Sequence, residues 1–244
     1  MNHMGANSTS RFQTTSWSLV LAAVGQRSTE AHAALAKLCQ TYWQPVYAFI
    51  RRSGYPADQA QDLAQGFFLV LLDKNYVADA DPQRGRFRSF LLTSVKHFLA
   101  NERDRARALK RGGGQMIVSI DGMEAECRYA PSTVELTTPE SLFERRWALS
   151  LLEQAVTRLR SEFAEREKAE HFEKMSAFLG CDADGGRYEQ LATELGTSAG
   201  ALRVAVHRMR QKYRNILRAE IAETVSRPEE IDEEIRFLLS TLRG

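Results

Sequence analysis

The chain has 244 residues, 33 Lys and Arg against 31 Asp and Glu, and 43% hydrophobic positions, enough for one large domain or two small ones that each bury a core. A net charge of +2 excludes a uniformly basic nucleic-acid coat, so any polyanionic partner must be met by local patches. Cys39, Cys127 and Cys181 are far apart, with no CxxC or His and Cys cluster, which argues against a disulfide framework or a structural metal and for a reducing cytoplasm.

Residues 1–16 are polar and small and read as a flexible N-terminus without an apolar signal segment. Trp17, Val20, Leu21 and Val24 predict a short amphipathic helix, and Leu35, Leu38, Tyr42, Val46 and Phe49 predict a longer one that Pro45 should kink. The loop Gly54 to Asp58 caps the next helix. There Ala60, Leu63, Ala64, Phe67, Phe68 and Leu71 form an apolar face, while Asp58, Asp62, Gln65 and Leu69 line up on another. Gly66 interrupts this helix at a cost of about 1 kcal/mol relative to Ala.

After a loop from Asp73 to Gly85, Phe87, Phe90, Leu91, Val95, Phe98 and Leu99 give a further buried stripe. The span Arg84 to Arg111 carries nine basic residues (84, 86, 88, 96, 103, 105, 107, 110 and 111) against Glu102 and Asp104. Cations interleaved with aromatics suit single-stranded or melting nucleic acid, although each Phe taken singly fits a core position. Residues 112–139, opened by three glycines, read as a flexible linker. Glu140 then begins a long helix through Phe143, Trp147, Ala148, Leu151, Leu152, Ala155 and Leu159.

The stretch Tyr188 to Leu217 predicts a short helix, a turn at Gly196, a cap at Ser198 and a second helix with its stripe at Leu202, Val206, Met209, Tyr213 and Leu217. From Arg203 to Arg218 this helix holds six Arg or Lys and no acid. A helix, a Gly turn and a basic second helix read as helix-turn-helix, whose second element enters the DNA major groove. Pro228 stops the chain, and Glu229 to Leu242 restarts an acidic amphipathic helix, read as a cap on the C-terminal domain or a docking element. The predicted fold is all-α, two small helical domains joined by a flexible linker. Its divisions are 1–16, 17–111, 112–139, 140–225 and an acidic extension at 226–244.

Three stretches, DQAQDLAQGFFLVLL, RFRSFLLTSVKHFLANERDRAR and YEQLATELGTSAGALRVAVHRMRQKYR, in this order and spacing, resemble bacterial RNA polymerase sigma factors of the sigma-70 family, extracytoplasmic-function group. The resemblance implies a promoter-specificity factor whose partners are core RNA polymerase and promoter DNA. It places Asp58, Asp62, Gln65 and Leu69 on the polymerase clamp. It places Lys74, Asn75, Tyr76, Arg84, Arg86, Arg88, Lys96, Asn101, Arg103, Arg105 and Arg107 at the minus-ten element. Ser198, Ala199, Gly200, Arg203, Val204 and His207 fall where the family reads the minus-thirty-five element, and Arg208, Arg210 and Lys212 would grip phosphate.

Two departures bear on regulation. Gly66 stands where the family has an acid after the clamp-helix Gln, and the acidic tail extends beyond the minimal pattern, which suggests that the tail itself contributes to control. An anti-sigma factor or a regulatory kinase is a further candidate partner, and no membrane association, cofactor, metal or catalytic residue is expected. The alternatives are a stand-alone helix-turn-helix regulator of duplex DNA, which has no use for the basic aromatic stretch, and an enzyme. Against an enzyme stand five scattered histidines and the lack of HExxH, P-loop or GxSxG.

Overall fold

A computed structural model describes residues 29–71, 86–110, 138–180 and 185–243. The protein is all-α, and no strand occurs among the described residues. In chain order the helices are α1 (Thr29–Arg52), α2 (Ala57–Leu71), α3 (Phe87–Lys110), α4 (Pro139–Ala164), α5 (Ala169–Ser176), α6 (Gly185–Glu194), α7 (Ala199–Ala222) and α8 (Ile231–Arg243), with a 3₁₀ turn at Pro228–Glu230 before the last. The expected helix around Trp17, the loop Asp73 to Gly85 and most of the linker lie outside the described residues.

Sequence rules account for the helix boundaries. Pro45 lies inside α1, which remains helical across it, so the Thr41 carbonyl goes without the i+4 amide donor. At the start of α4, Pro139 occupies the first helical position, and the Thr138 hydroxyl accepts from the Ser141 amide at 3.1 Å.

Two clusters of buried side chains hold the helices together. The first combines Val46, Tyr47 and Ile50 of α1, Phe67, Phe68 and Leu71 of α2, Phe87, Leu91 and Phe98 of α3, and Phe143, Trp147 and Leu151 of α4. At its centre the Tyr42 ring stacks on Trp147, with centroids 4.4 Å apart and planes 6° apart, and Phe87 leans on both. Large side chains buried in this way contribute about 1.5–3 kcal/mol each. The second cluster combines Ala155 and Leu159 of α4, Phe172 and Met175 of α5, Leu191 and Ala192 of α6, and Leu202, Val206, Met209 and Ile216 of α7.

The first cluster draws on residues from both sides of the segment 112–139. The opening half of α4 belongs to it, as does Ile221 near the end of α7. It also takes Leu238 of α8, with Ile235, Phe237 and Leu242 packed against it. The tail helix packs against α4 and α7, both within the span 140–225 that the sequence assigns to the C-terminal domain. At its edge it also reaches the start of α3, where the Phe237 ring lies over Arg88.

Candidate nucleic-acid interface

The α6 to α7 corner is built by local chemistry. Gly196 has φ +62°, and the three amides that follow helix α6 return to it: Leu195 to the Leu191 carbonyl at 3.0 Å, Gly196 to the Thr193 carbonyl at 3.2 Å and Thr197 to the Ala192 carbonyl at 2.9 Å. The Ser198 hydroxyl then accepts from the Ala201 amide at 3.1 Å and starts α7. Leu202, Val206 and Met209 are buried against α4, α5 and α6, which turns Gly200, Arg203, Val204, His207, Arg208 and Arg214 to solvent. Ala199 is half-buried at the first position.

Within this face the side chains differ in freedom. Arg203 lies over the Tyr188 ring, 5.5 Å from its centroid, and stays exposed. Val204 is half exposed, an apolar surface available beside the cations. Arg210 and Lys212 stand at the two borders of the face. Arg210 is half-buried and its Nε donates to the Phe178 carbonyl at 2.8 Å, which ties α7 to the turn after α5. Lys212 is paired with Glu162 of α4. Of the three residues assigned to phosphate, Arg208 is the exposed one; with Lys212 it lines a cleft of about 390 Å³ between α5 and α7.

On α2, Asp58, Asp62, Gln65 and Leu69 are all exposed on one side, and Asp58 and Asp62 form no ion pair among the described residues. Leu69 is 67% exposed, which puts an exposed apolar side chain on the same face as two exposed carboxylates. Packing does not demand a glycine at position 66. A Cβ there would meet the edge of the Phe98 ring at 3.4 Å, an ordinary van der Waals contact.

The α3 residues separate into two groups. Lys96 reaches Glu140 of α4 at 2.7 Å, and this partner, with the Glu140 backbone amide, holds the Glu140 carboxyl below the ordinary glutamate value. Asn101, Arg103, Arg105 and Arg107 are exposed toward the helix end, where Arg103 donates to the Tyr55 hydroxyl at 2.9 Å and lies over its ring. Among the described residues Arg105 and Arg107 pair with Glu102 and Asp104, one turn earlier.

At the other end, Arg86 and Arg88 are engaged by the tail. Arg88 Nε donates to Glu234 Oε1 at 2.7 Å and Nη1 to Glu144 at 3.2 Å, and Arg86 Nη2 donates to Glu233 at 2.7 Å. Phe87 and Phe98 are fully packed and Phe90 partly so, which assigns these rings to the core rather than to bases. Lys74, Asn75, Tyr76 and Arg84 lie outside the described residues.

No protein-family model, curated protein or solved structure matches the chain. Among the described residues no cluster of His, Cys, Asp or Glu could hold a metal, and no helix is long and apolar enough to cross a membrane.

The sequence reading missed two features of this surface. Gln211 is exposed one turn beyond His207 and extends the α7 face; its i+4 spacing was the available signal. Glu233 and Glu234 as partners of Arg86 and Arg88 had no local signal, since nearly 150 residues separate them.

Proposed function

We propose that the chain is a promoter-specificity factor that binds core RNA polymerase, recognises the minus-thirty-five and minus-ten elements and promotes strand opening. The observation that carries this reading is the α7 face: a capped helix start, open to solvent, presenting Gly200, Arg203, Val204 and His207 in successive turns with Arg208 beside them. The N-terminal end of such a helix reaches base edges in the major groove, while flanking cations meet phosphate. The exposed Asp58, Asp62, Gln65 and Leu69 face of α2 supports a second, protein partner, which the sigma-factor resemblance makes the polymerase clamp. The open end of α3, from Asn101 to Arg107, supplies the cations for the minus-ten strand.

A second reading, a duplex-binding regulator that acts without polymerase, is favoured by the burial of Phe87 and Phe98. Those rings are the aromatic half of the basic aromatic stretch Arg84 to Arg111 that such a regulator has no use for, and in the core they no longer count against it.

Co-purification of the tagged full chain with core RNA polymerase, followed by run-off transcription from candidate promoters, separates the two. Stoichiometric association and promoter-dependent transcripts are the expected result. Binding to duplex DNA with no polymerase association overturns the promoter-factor reading in favour of the regulator.

A further inference from the structure

The tail helix α8 is seated on the basic end of α3, and its acids take the donors that a phosphate needs. Arg88 has two carboxylates on its guanidinium edge, from Glu234 and Glu144, and the Phe237 ring on its face, 3.6 Å from ring centroid to Cζ. Its side chain is 11% exposed. Arg86 donates to Glu233 and lies 3.2 Å from Glu234. Two more interactions pin the same corner: the Phe87 amide donates to the Thr224 carbonyl at 2.9 Å, and Arg218 of α7 reaches Asp232. In contrast, Arg105 and Arg107 are 71% and 73% exposed. One helix thus has an open cationic end and a masked one.

The seat is also imperfect. Glu234 is 1% exposed, yet its Oε2 accepts no hydrogen bond; the Arg86 Nε at 3.2 Å is close enough for an ion pair but not aligned for a bond. A buried carboxylate is destabilising unless its partners satisfy it fully. A tail held by an incompletely satisfied buried charge can be displaced by a ligand that binds only the open state.

We propose that α8 is a built-in competitor for nucleic acid: when seated it masks Arg86 and Arg88, and a nucleic-acid strand engages these two residues only after α8 leaves. This rests on the reading of α3 as a nucleic-acid surface. Carboxylate and phosphate oxygens compete for the same guanidinium N–H edges, so the two occupants exclude each other.

The test uses fluorescence anisotropy of the full chain with a labelled single-stranded DNA of about 20 nucleotides, titrated at several salt concentrations. The isosteric pair Glu233→Gln with Glu234→Gln is expected to bind several-fold tighter. It should also steepen the dependence of log affinity on log salt by about 1.4, for two phosphate contacts at about 0.7 each. Glu165→Gln with Glu167→Gln, the same charge change on exposed residues away from the tail, should not; equal tightening by both pairs overturns the proposal as a general charge effect.

Arg105→Ala with Arg107→Ala tests the underlying surface. If that variant loses affinity but the Glu233 and Glu234 pair binds like wild type, the competitor is wrong and the α3 surface stands. If it binds like wild type, both are wrong. Amide exchange on the wild-type chain provides an arm free of substitutions. Faster exchange in residues 231–243 upon DNA addition supports displacement, and unchanged or slower exchange overturns it.

Discussion

Two helix ends in this chain close with the same backbone geometry and different residues. After α6 the left-handed position is Gly196, at φ +62°; after α4 it is Glu167, at φ 57°, with its amide returning to the Ala164 carbonyl and the Lys168 amide to Phe163. A side chain at such a position costs roughly 1–2 kcal/mol, which glycine avoids. Gly196→Ala should therefore destabilise the protein by about 1 kcal/mol. Glu167→Gly should stabilise it by less, because glycine also gains freedom in the unfolded chain. Urea midpoints that moved the same way for both substitutions would contradict this account. Gly66 is the opposite case, a helical glycine at ordinary φ. Its replacement by Ala removes a helix cost of about 1 kcal/mol and places a methyl in van der Waals range of Phe98. The expected outcome is a rise in Tm of roughly 2–4 °C. A fall would mean that the Phe98 ring cannot yield.

At the scale of elements, α7 divides into residues that face solvent and residues that hold the corner together. Arg203→Ala or His207→Ala should relax preference at one or two base pairs, by about 1–3 kcal/mol for each base-reading interaction removed, and leave Tm nearly unchanged. Arg210→Ala should lower Tm instead, since it strips a charged donor from the Phe178 carbonyl, a bond of the kind that contributes about 1.5–3 kcal/mol. If Arg210→Ala alters promoter binding with no change in Tm, that assignment is wrong. The junction between α3 and α4 carries a pH signature. Because Lys96 holds the Glu140 carboxyl below its ordinary 4.5, the pair's contribution is present above that pH and is lost as pH falls through the depressed value. The Tm gap between wild type and Glu140→Gln should be constant near neutrality and close in acid.

The same elements mark what the sequence could disclose. Gly196, Ser198 and the 3.6-residue stripe of α7 are local signals, and the corner follows from them. The exposed Asp58, Asp62, Gln65 and Leu69 row follows from spacing alone. Apolar periodicity shows that a face is buried but not against what. That is why the contact of α8 with Arg86 and Arg88 at the start of α3 was not legible, nor was the engagement of Arg210 and Lys212, whose partners at Phe178 and Glu162 lie on other elements.

For the whole molecule the decisive fact is that two helices run between the clusters. The first half of α4 packs through Phe143, Trp147 and Leu151 in one and the second half through Ala155 and Leu159 in the other, while α7 returns from Leu202 and Val206 to Ile221. Melting either cluster alone would leave half of α4 without the tertiary packing that supplies most helical stability. The described residues should therefore unfold as one cooperative unit, although a 28-residue segment, 111–138, separates α3 from α4 in sequence. With Trp17→Phe in the background, fluorescence of Trp43 and Trp147 reports on the first cluster, and amide exchange of residues 188–195 reports on the second. In urea the two probes should share a midpoint. Trp147→Ala, which removes the ring stacked on Tyr42, should cost about 3–5 kcal/mol and move both midpoints down together. A shift confined to the tryptophan signal, with the α6 amides still protected, would mean that the clusters are independent domains despite the shared helices.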